Sequence, residues 1–305
     1  MDRREFLKKS AALGFGAGLL ILPRGLRGAI TLAAQENRYP DLVALKGGTP
    51  RSMFERGMRE IGGMGRFVKS GQTVVIKPNM SFDLAPEYAA NTSPELVAAV
   101  IAQCRDAGAR RVIILDHSLA HWEHSGKNSG ILEAARNAGA VYAQAEREGY
   151  YQKVPVRGRR LKETAVHEAV LEADVFISVP VLKHHGGAGV SGSMKNLMGC
   201  VWNRRAYHSN GLQTCIADFL YVKKPDLNIV DAYRVITRNG PGGGNLADVA
   251  QIGSMIISPD IVAADSAAFA LVNRKQGEVE HVRIAGQAGF GQMDLSKLNI
   301  SRLNV

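Results

Sequence analysis

The sequence predicts an α/β fold, a mostly parallel sheet flanked by helices in Rossmann-like layers. Short apolar runs bounded by turn residues alternate with helical patterns along most of the chain. One stretch, Gln72 to Leu115, reads as a full strand–helix–strand unit of about forty residues, the length of a parallel crossover. Polar residues recur just past the apolar runs, where open α/β sheets hold their ligands.

Composition sets the outer limits. The chain has 305 residues, 46% hydrophobic and 22% charged, ordinary for a globular protein and enough for one large domain or two small lobes. The net charge is +10, of which residues 1–33 supply +4. The mildly basic remainder suits a small anionic ligand. No basic run is interleaved with aromatics, so nucleic acid is not an expected partner. The three cysteines form no C-x-x-C pair, which argues against a disulfide scaffold, a Cys-rich zinc site or a ferredoxin-type cluster. Cys104 fits a helix core, and pairing of Cys200 with Cys215 stays open.

Residues 1–33 read as an export signal, leaving 34–305 as the folded domain. Asp2-Arg3-Arg4-Glu5-Phe6-Leu7-Lys8 resembles the twin-arginine motif, with Asp2 where Ser or Thr is usual. The apolar segment Ala11 to Leu22 is about half the length of a membrane span. Thr31 and Ala33 offer a small-x-small cleavage site, and an uncleaved anchor is the alternative. The resemblance implies the twin-arginine translocase as a partner, folding before transport, and a periplasmic location.

After a polar linker, Met53 to Phe67 is an expected helix. Gln72 to Lys77 is a buried strand closed by Pro78-Asn79. Ser93 is the expected N-cap of a helix with Pro94 at its first position, running to about Ala107. Gly108 breaks it before the strand Arg111 to Leu115, which ends in Asp116-His117-Ser118. His121, Trp122, Glu123 and His124 fall in a loop. A helix from about Asn128 to Ala138 and a short strand at Ala140 follow. Residues 150–164 are an exposed hairpin or arm, Thr164 to Glu172 a short helix, and Asp174 to Leu182 the central strand. Beyond His208 come a helix at Leu212 to Val222, a strand at Leu227 to Val230 ending in Asp231, and a glycine loop at Asn239 to Gly244. A strand at Met255 to Ile257 precedes a helix that Ser258-Pro259-Asp260 opens. The tail from Gly286 is expected to be loosely structured, with a short helix near Asp294.

The chain is organised around Lys183 to His208, KHHGGAGVSGSMKNLMGCVWNRRAYH. Strand, glycine-rich loop and helix start is the geometry in which backbone N–H groups meet an anion. Ser191 and Ser193 are candidate N-caps for a helix through Met194 to Met198, with Gly199 as its stop. Lys195 at a helix start opposes the macrodipole, a local cost that makes sense if it faces an anion or an electrophile. The candidate catalytic residues are Lys195, His184, His208 and Asp116. Candidates for holding a ligand or cofactor are Lys77, Asn79, Lys183, Gly189, Ser191, Gly192, Ser193, Asn196 and Asp231. His184 and His185 are candidate metal ligands. Asp116 and Asp231 have a competing reading as turn caps, Lys77 as a solvated edge lysine, and His121 and His124 as surface residues.

The segments VVIKPN, NTSPELV, GARRVIILD and GVSGSMKNLMG resemble the family known as domain of unknown function 362, over most of residues 70–275. Members often carry ferredoxin-like domains, which implies an iron–sulfur-linked redox cofactor or a redox partner protein. This chain lacks that cysteine set. A more local resemblance is to lactate racemase, which implies a nickel pincer cofactor on a lysine and histidines that shuttle a proton. His184 or His185, then Ser191 to Lys195, then His208 follow that family's order, with Ser193 replacing a glycine and Tyr207 an asparagine. Three readings stay open: a small-molecule or cofactor-dependent enzyme, a non-catalytic periplasmic binding or metal-maturation protein, and a racemase or epimerase. An enzyme needs His184 or His208 and a carboxylate within reach of one ligand position.

Overall fold

The computed structural model describes residues 39–275 and 277–305. The twin-arginine-like segment and its cleavage site lie outside these residues. Strand β1 (Leu42–Lys46) leads into helix α1 (Pro50–Glu60), whose start is fixed by a reciprocal Thr49–Ser52 capping box with Pro50 in its first turn. Then come β2 (Thr73–Pro78), α2 (Pro94–Asp106), β3 (Arg111–Ile114), α3 (Trp122–Asn128), α4 (Ile131–Asn137) and β4 (Val141–Tyr142). The middle of the chain holds β5 (Tyr151–Pro155), β6 (Glu163–His167), α5 (Glu168–Leu171), β7 (Val175–Val179), β8 (Val181–His185) and β9 (Gly189–Ser191). It continues through α6 (Ser193–Asn196), α7 (Arg204–Ser209), α8 (Leu212–Asp218), β10 (Leu227–Ile236) and β11 (Val249–Ser258). Helices α9 (Ile261–Ala270) and α10 (Glu280–Gln287) precede β12 (Ile300–Asn304).

The main sheet runs β12-β1-β11-β10-β7-β2-β3-β4, with β8 paired to β10 and to β9. Four of the expected strands are parallel neighbours: β10 on β7, β7 on β2, and β2 on β3. Their register sets Ile76 level with Ile114 and Ile177, so β2, β3 and β7 end on one rim. β11 runs antiparallel to both β10 and β1, which makes the sheet mixed at that side.

The strands read as continuous apolar runs because both faces are covered. Alternate residues feed two cores. Val75, Ile113, Phe176 and Val230 face the layer of α6, α8, α9 and α10. Val74, Val112, Ile177 and Ile229 face α1, α2 and α4. Each such side chain contributes roughly 1.5–3 kcal/mol of burial.

The structure corrects several element assignments. Pro180, which has no N–H for the ladder, splits the expected strand 174–182 into β7 and β8, and β8 continues to His185. Thr164 to His167 is strand, so β5 and β6 form the hairpin expected there. Residues 122–128 are helical rather than loop. β10 runs on through Asp231 to Ile236, and the tail is ordered, with β12 lying parallel on β1. Cys104, Cys200 and Cys215 are buried free thiols.

Candidate functional site

Lys77 and Asp116 leave the carboxyl ends of β2 and β3 and meet beneath a cleft. Lys77 Nζ lies 2.9 Å from Asp116 Oδ1, and both side chains are fully buried. The same ammonium donates to Pro78 O at 2.6 Å and Asn196 Oδ1 at 3.0 Å. Asp116 Oδ2 accepts from Met80 N at 2.6 Å and Ser81 Oγ at 2.9 Å. Asn196 returns a bond to Lys77 O at 2.9 Å. Lys77 is thus no solvated edge lysine: its ammonium donates two hydrogen bonds and is ion-paired to Asp116. Gly199 is required where it crosses this pair, since a Cβ there would stand 2.1 Å from Asp116 Oδ1.

Lys183 and His185 project from one face of β8. Lys183 Nζ donates to Asn79 Oδ1 at 2.6 Å and Ala90 O at 2.5 Å, and lies 4.4 Å from the centre of the Phe82 ring. Burial, followed by the nearby Lys195 charge, holds its pKa well below the usual lysine value. His185 Nδ1 accepts from Gly187 N and Ala188 N, each at 3.1 Å, which places its proton on Nε2. Burial, then the Lys195 and Lys183 charges, push it down to about 3, so it is neutral.

His184 lies between them and points to the opposite face, where its Nδ1 accepts from Gly240 N at 3.1 Å and it lines a separate hollow with Gly189 and Ile236. His184 and His185 therefore cannot close on one metal ion, and His184 is not available for catalysis in the cleft. Gly189 shares its displacement. Asp231 is also outside: buried on β10, it accepts from Ser93 N at 2.9 Å and Tyr233 N at 3.0 Å and ties the start of α2 to the sheet. Its reading as a structural cap is the one that the contacts support. His121 and His124 are exposed.

The expected anion cradle is also corrected. β8 and β9 form an antiparallel hairpin, so much of the glycine-rich stretch is committed to a ladder. At the start of α6, Asp265 from α9 takes Ser193 N at 2.6 Å and Met194 N at 3.0 Å. Neither Ser191 nor Ser193 caps the helix through its side chain. Burial outweighs these two bonds and raises the Asp265 pKa to about 7. Gly192 is needed for this approach, because a Cβ would stand 2.4 Å from Asp265 Oδ1. Ser193 is buried behind the cleft rather than in its wall.

Lys195 is the residue left over. It lines a cleft of about 300 Å³ together with Asn79, Asp116, Lys183, His185, Ser191, Gly192, Asn196, Arg204 and His208, and an apolar wall from Phe82, Leu119 and Met198. No hydrogen bond or ion pair to its amine occurs among the described residues. Burial, then the Arg204 and Lys77 charges, lower its pKa to about 8, opposed in part by Asp116. Arg204 and His208 sit one helical turn apart on α7, so both face the cleft. Arg204 donates to His117 O at 2.5 Å and Ser118 O at 3.0 Å, which pins the loop after β3. His208 is exposed at the mouth, its pKa lowered by burial, Lys195 and Arg204.

Sequence reasoning brought Lys77, Asn79, Asp116, Lys183, Ser191, Gly192, Lys195, Asn196 and His208 to one place. It missed Arg204 and Asp265. The spacing of Arg204 and His208 on a short helix carried the first; nothing local carried the second. Among the described residues, no three His, Cys, Asp or Glu side chains come together in a way that would hold a metal ion. With all three thiols buried and free, the cysteines do not fit an iron–sulfur cluster.

The model of the family described as Domain of unknown function (DUF362) matches residues 74–270. A protein of Synechocystis sp. named as thylakoid-associated is 29% identical over 216 residues, covering 68% of this chain and 65% of that protein. Among solved structures, the lactate racemase apoprotein from Thermoanaerobacterium thermosaccharolyticum aligns with a TM-score of 0.48 at 13% identity, covering 74% of this chain and 55% of that one. A structural-genomics protein from Thermotoga maritima aligns at 0.46 and 12% identity, covering 79% and 60%.

Proposed function

The chain belongs to the DUF362 family, and on that premise we propose that it binds a small organic anion in the Lys195 cleft and acts on it as an enzyme. One observation carries this reading. Of the three lysines around the cleft, Lys77 meets three protein oxygens and Lys183 two and the Phe82 ring, whereas Lys195 has no acceptor among the described residues. A half-buried amine beside Arg204 and below His208 meets a ligand's negative charge in a water-poor setting, where a charge-assisted bond is strong.

Acid–base work would fall to Lys195 and His208. A two-histidine shuttle of the racemase kind is disfavoured, because His184 faces away and an imidazole held at about 3 is a poor proton acceptor at neutral pH. One observation favours a plain binding protein as the second reading: the cleft's carboxylate, Asp116, is already committed to Lys77, Met80 N and Ser81.

Calorimetric titration with acetate, lactate and phosphate tests the anion site. Lys195→Ala is expected to lose about 1.5–3 kcal/mol of affinity, the range of a charge-assisted hydrogen bond, with little change in melting temperature. A large drop in melting temperature with unchanged affinity would make Lys195 structural.

We also propose export through the twin-arginine route, which rests on Arg3 and Arg4. The thylakoid-associated name of the Synechocystis relative supports a site of action at or beyond a membrane. No helix among the described residues is long and apolar enough to cross one. Fractionation of the Arg3→Lys, Arg4→Lys double variant is expected to find the protein in the cytoplasm; its arrival in the periplasm would end the export reading.

A further inference from the structure

We propose that Lys195 is a covalent residue that forms an imine with the carbonyl carbon of a 2-oxo acid whose carboxylate pairs with Arg204. The inference deepens the anion-site reading and rests on it. An anion alone would be served by any cation at this place. The cleft offers something narrower, an amine without an acceptor among the described residues and, in the same lining, a guanidinium with N–H groups to spare.

Arg204 uses Nη1 on His117 O and Nη2 on Ser118 O. A guanidinium has five N–H donors, so others remain for a carboxylate, and the two backbone bonds fix its plane. Lys195, also in the cleft lining, enters from a different element, α6, whose start is held by Asp265. A 2-oxo acid carries its carboxylate and carbonyl on adjacent carbons, which suits a cation and a nucleophile that line one small cleft and feel each other's charge. The amine's surroundings suit the task as well: burial and the flanking Arg204 and Lys77 charges bring it to about 8, so a useful fraction is uncharged near neutrality.

The step balances without an oxidant or reductant. The Lys195 Nζ lone pair bonds to the carbonyl carbon as the C=O π pair moves to oxygen. A proton passes from nitrogen to that oxygen, giving a carbinolamine. His208 at the mouth, when protonated, delivers the proton that lets the hydroxyl leave as water, and the nitrogen lone pair closes the C=N bond. One water is released per imine formed.

Borohydride-type trapping tests this directly. The full chain is incubated with pyruvate and sodium cyanoborohydride, then read by intact-mass and peptide mass spectrometry. The expected result is one reduced pyruvate adduct on the peptide that carries Lys195, formed at least tenfold faster than on exposed Lys153, as the larger uncharged fraction at a lowered pKa requires. Because the step needs an uncharged Lys195 and a protonated His208, the rate should rise with pH below the His208 pKa, stay level from there to about 8, and fall above it. Lys195→Arg, checked for an unchanged melting temperature, should show no site-specific adduct. Lactate, which has the carboxylate but no carbonyl, should compete. Adducts spread over exposed lysines, equal in wild type and Lys195→Arg, would overturn the imine. If lactate and pyruvate bind by calorimetry and lose binding in Arg204→Ala, yet no adduct forms, the anion site stands and the imine falls. An adduct on Lys195 that lactate does not suppress would keep the imine and remove the anion site.

Discussion

Lys77 and Lys195 lie at the floor and in the wall of one cleft and are built in opposite ways. Lys77 comes from the end of a central strand, is fully buried, and meets a carbonyl, an amide oxygen and a carboxylate. Lys195 comes from a four-residue helix, is half-buried, and meets no acceptor among the described residues. The first lysine joins β2, β3 and α6 into a floor. The second spends a desolvated charge on nothing the protein itself supplies. A charge that is paid for internally holds a structure together, while one left unmatched is available to a ligand.

The comparison breaks most visibly at the floor. Asp116→Ala leaves the Lys77 ammonium buried without its counter-charge and strips Met80 N and Ser81 of their acceptor. Urea denaturation is expected to show a loss of roughly 3–5 kcal/mol, the cost of breaking a buried pair from one side. A loss under about 1 kcal/mol would mean that the pair is not the keystone of the floor.

A smaller effect, of opposite sign, is expected at Lys195. Its pKa falls from 10.5 in the unfolded chain to about 8 in the fold, so the native state disfavours the charged amine. Below pH 8 both states are protonated and the fold bears the whole cost. As pH rises from 8 to 10.5 the native amine sheds its proton first, and wild-type stability climbs. Lys195→Met should therefore be more stable than wild type by on the order of 1 kcal/mol at pH 7, with the advantage fading above pH 10. Thermal melts of both proteins across pH 7–10.5 would read this. A destabilised Lys195→Met at pH 7 would place Lys195 with Lys77.

Much of this arrangement was legible in the sequence. Lys77, Asn79 and Asp116 follow apolar runs, and strand ends in a parallel sheet converge on one rim. The motif from Ser191 to Asn196 announced itself through residue types that a mobile loop does not need. What failed was parity and distance. With the central strand read as stopping at Leu182, nothing distinguished His184 from its neighbours. Once β8 runs to His185, alternation assigns Lys183 and His185 to the cleft and His184 to the far side. The helix cap was read locally as serine, but the acceptor that fills that place is supplied by another helix. Gly192 looked like an anion-loop glycine and Gly199 like a helix stop, and they instead make room for Asp265 and for the Lys77–Asp116 pair.

The Asp265 bonds also bear on time. They join residues 72 and 71 positions apart in the chain, and the Lys77–Asn196 bond spans 119. Closing loops of that size is entropically costly before any contact is gained, so such pairings form late and slowly. Local pieces such as α2 can condense while the chain is still emerging from the ribosome. The cleft cannot, because the carboxylate that seats its helix is translated long after the lysine it positions. A nascent chain stalled before residue 265 would carry the motif with its helix start uncapped and its neighbouring charges exposed, a state on which chaperones can act.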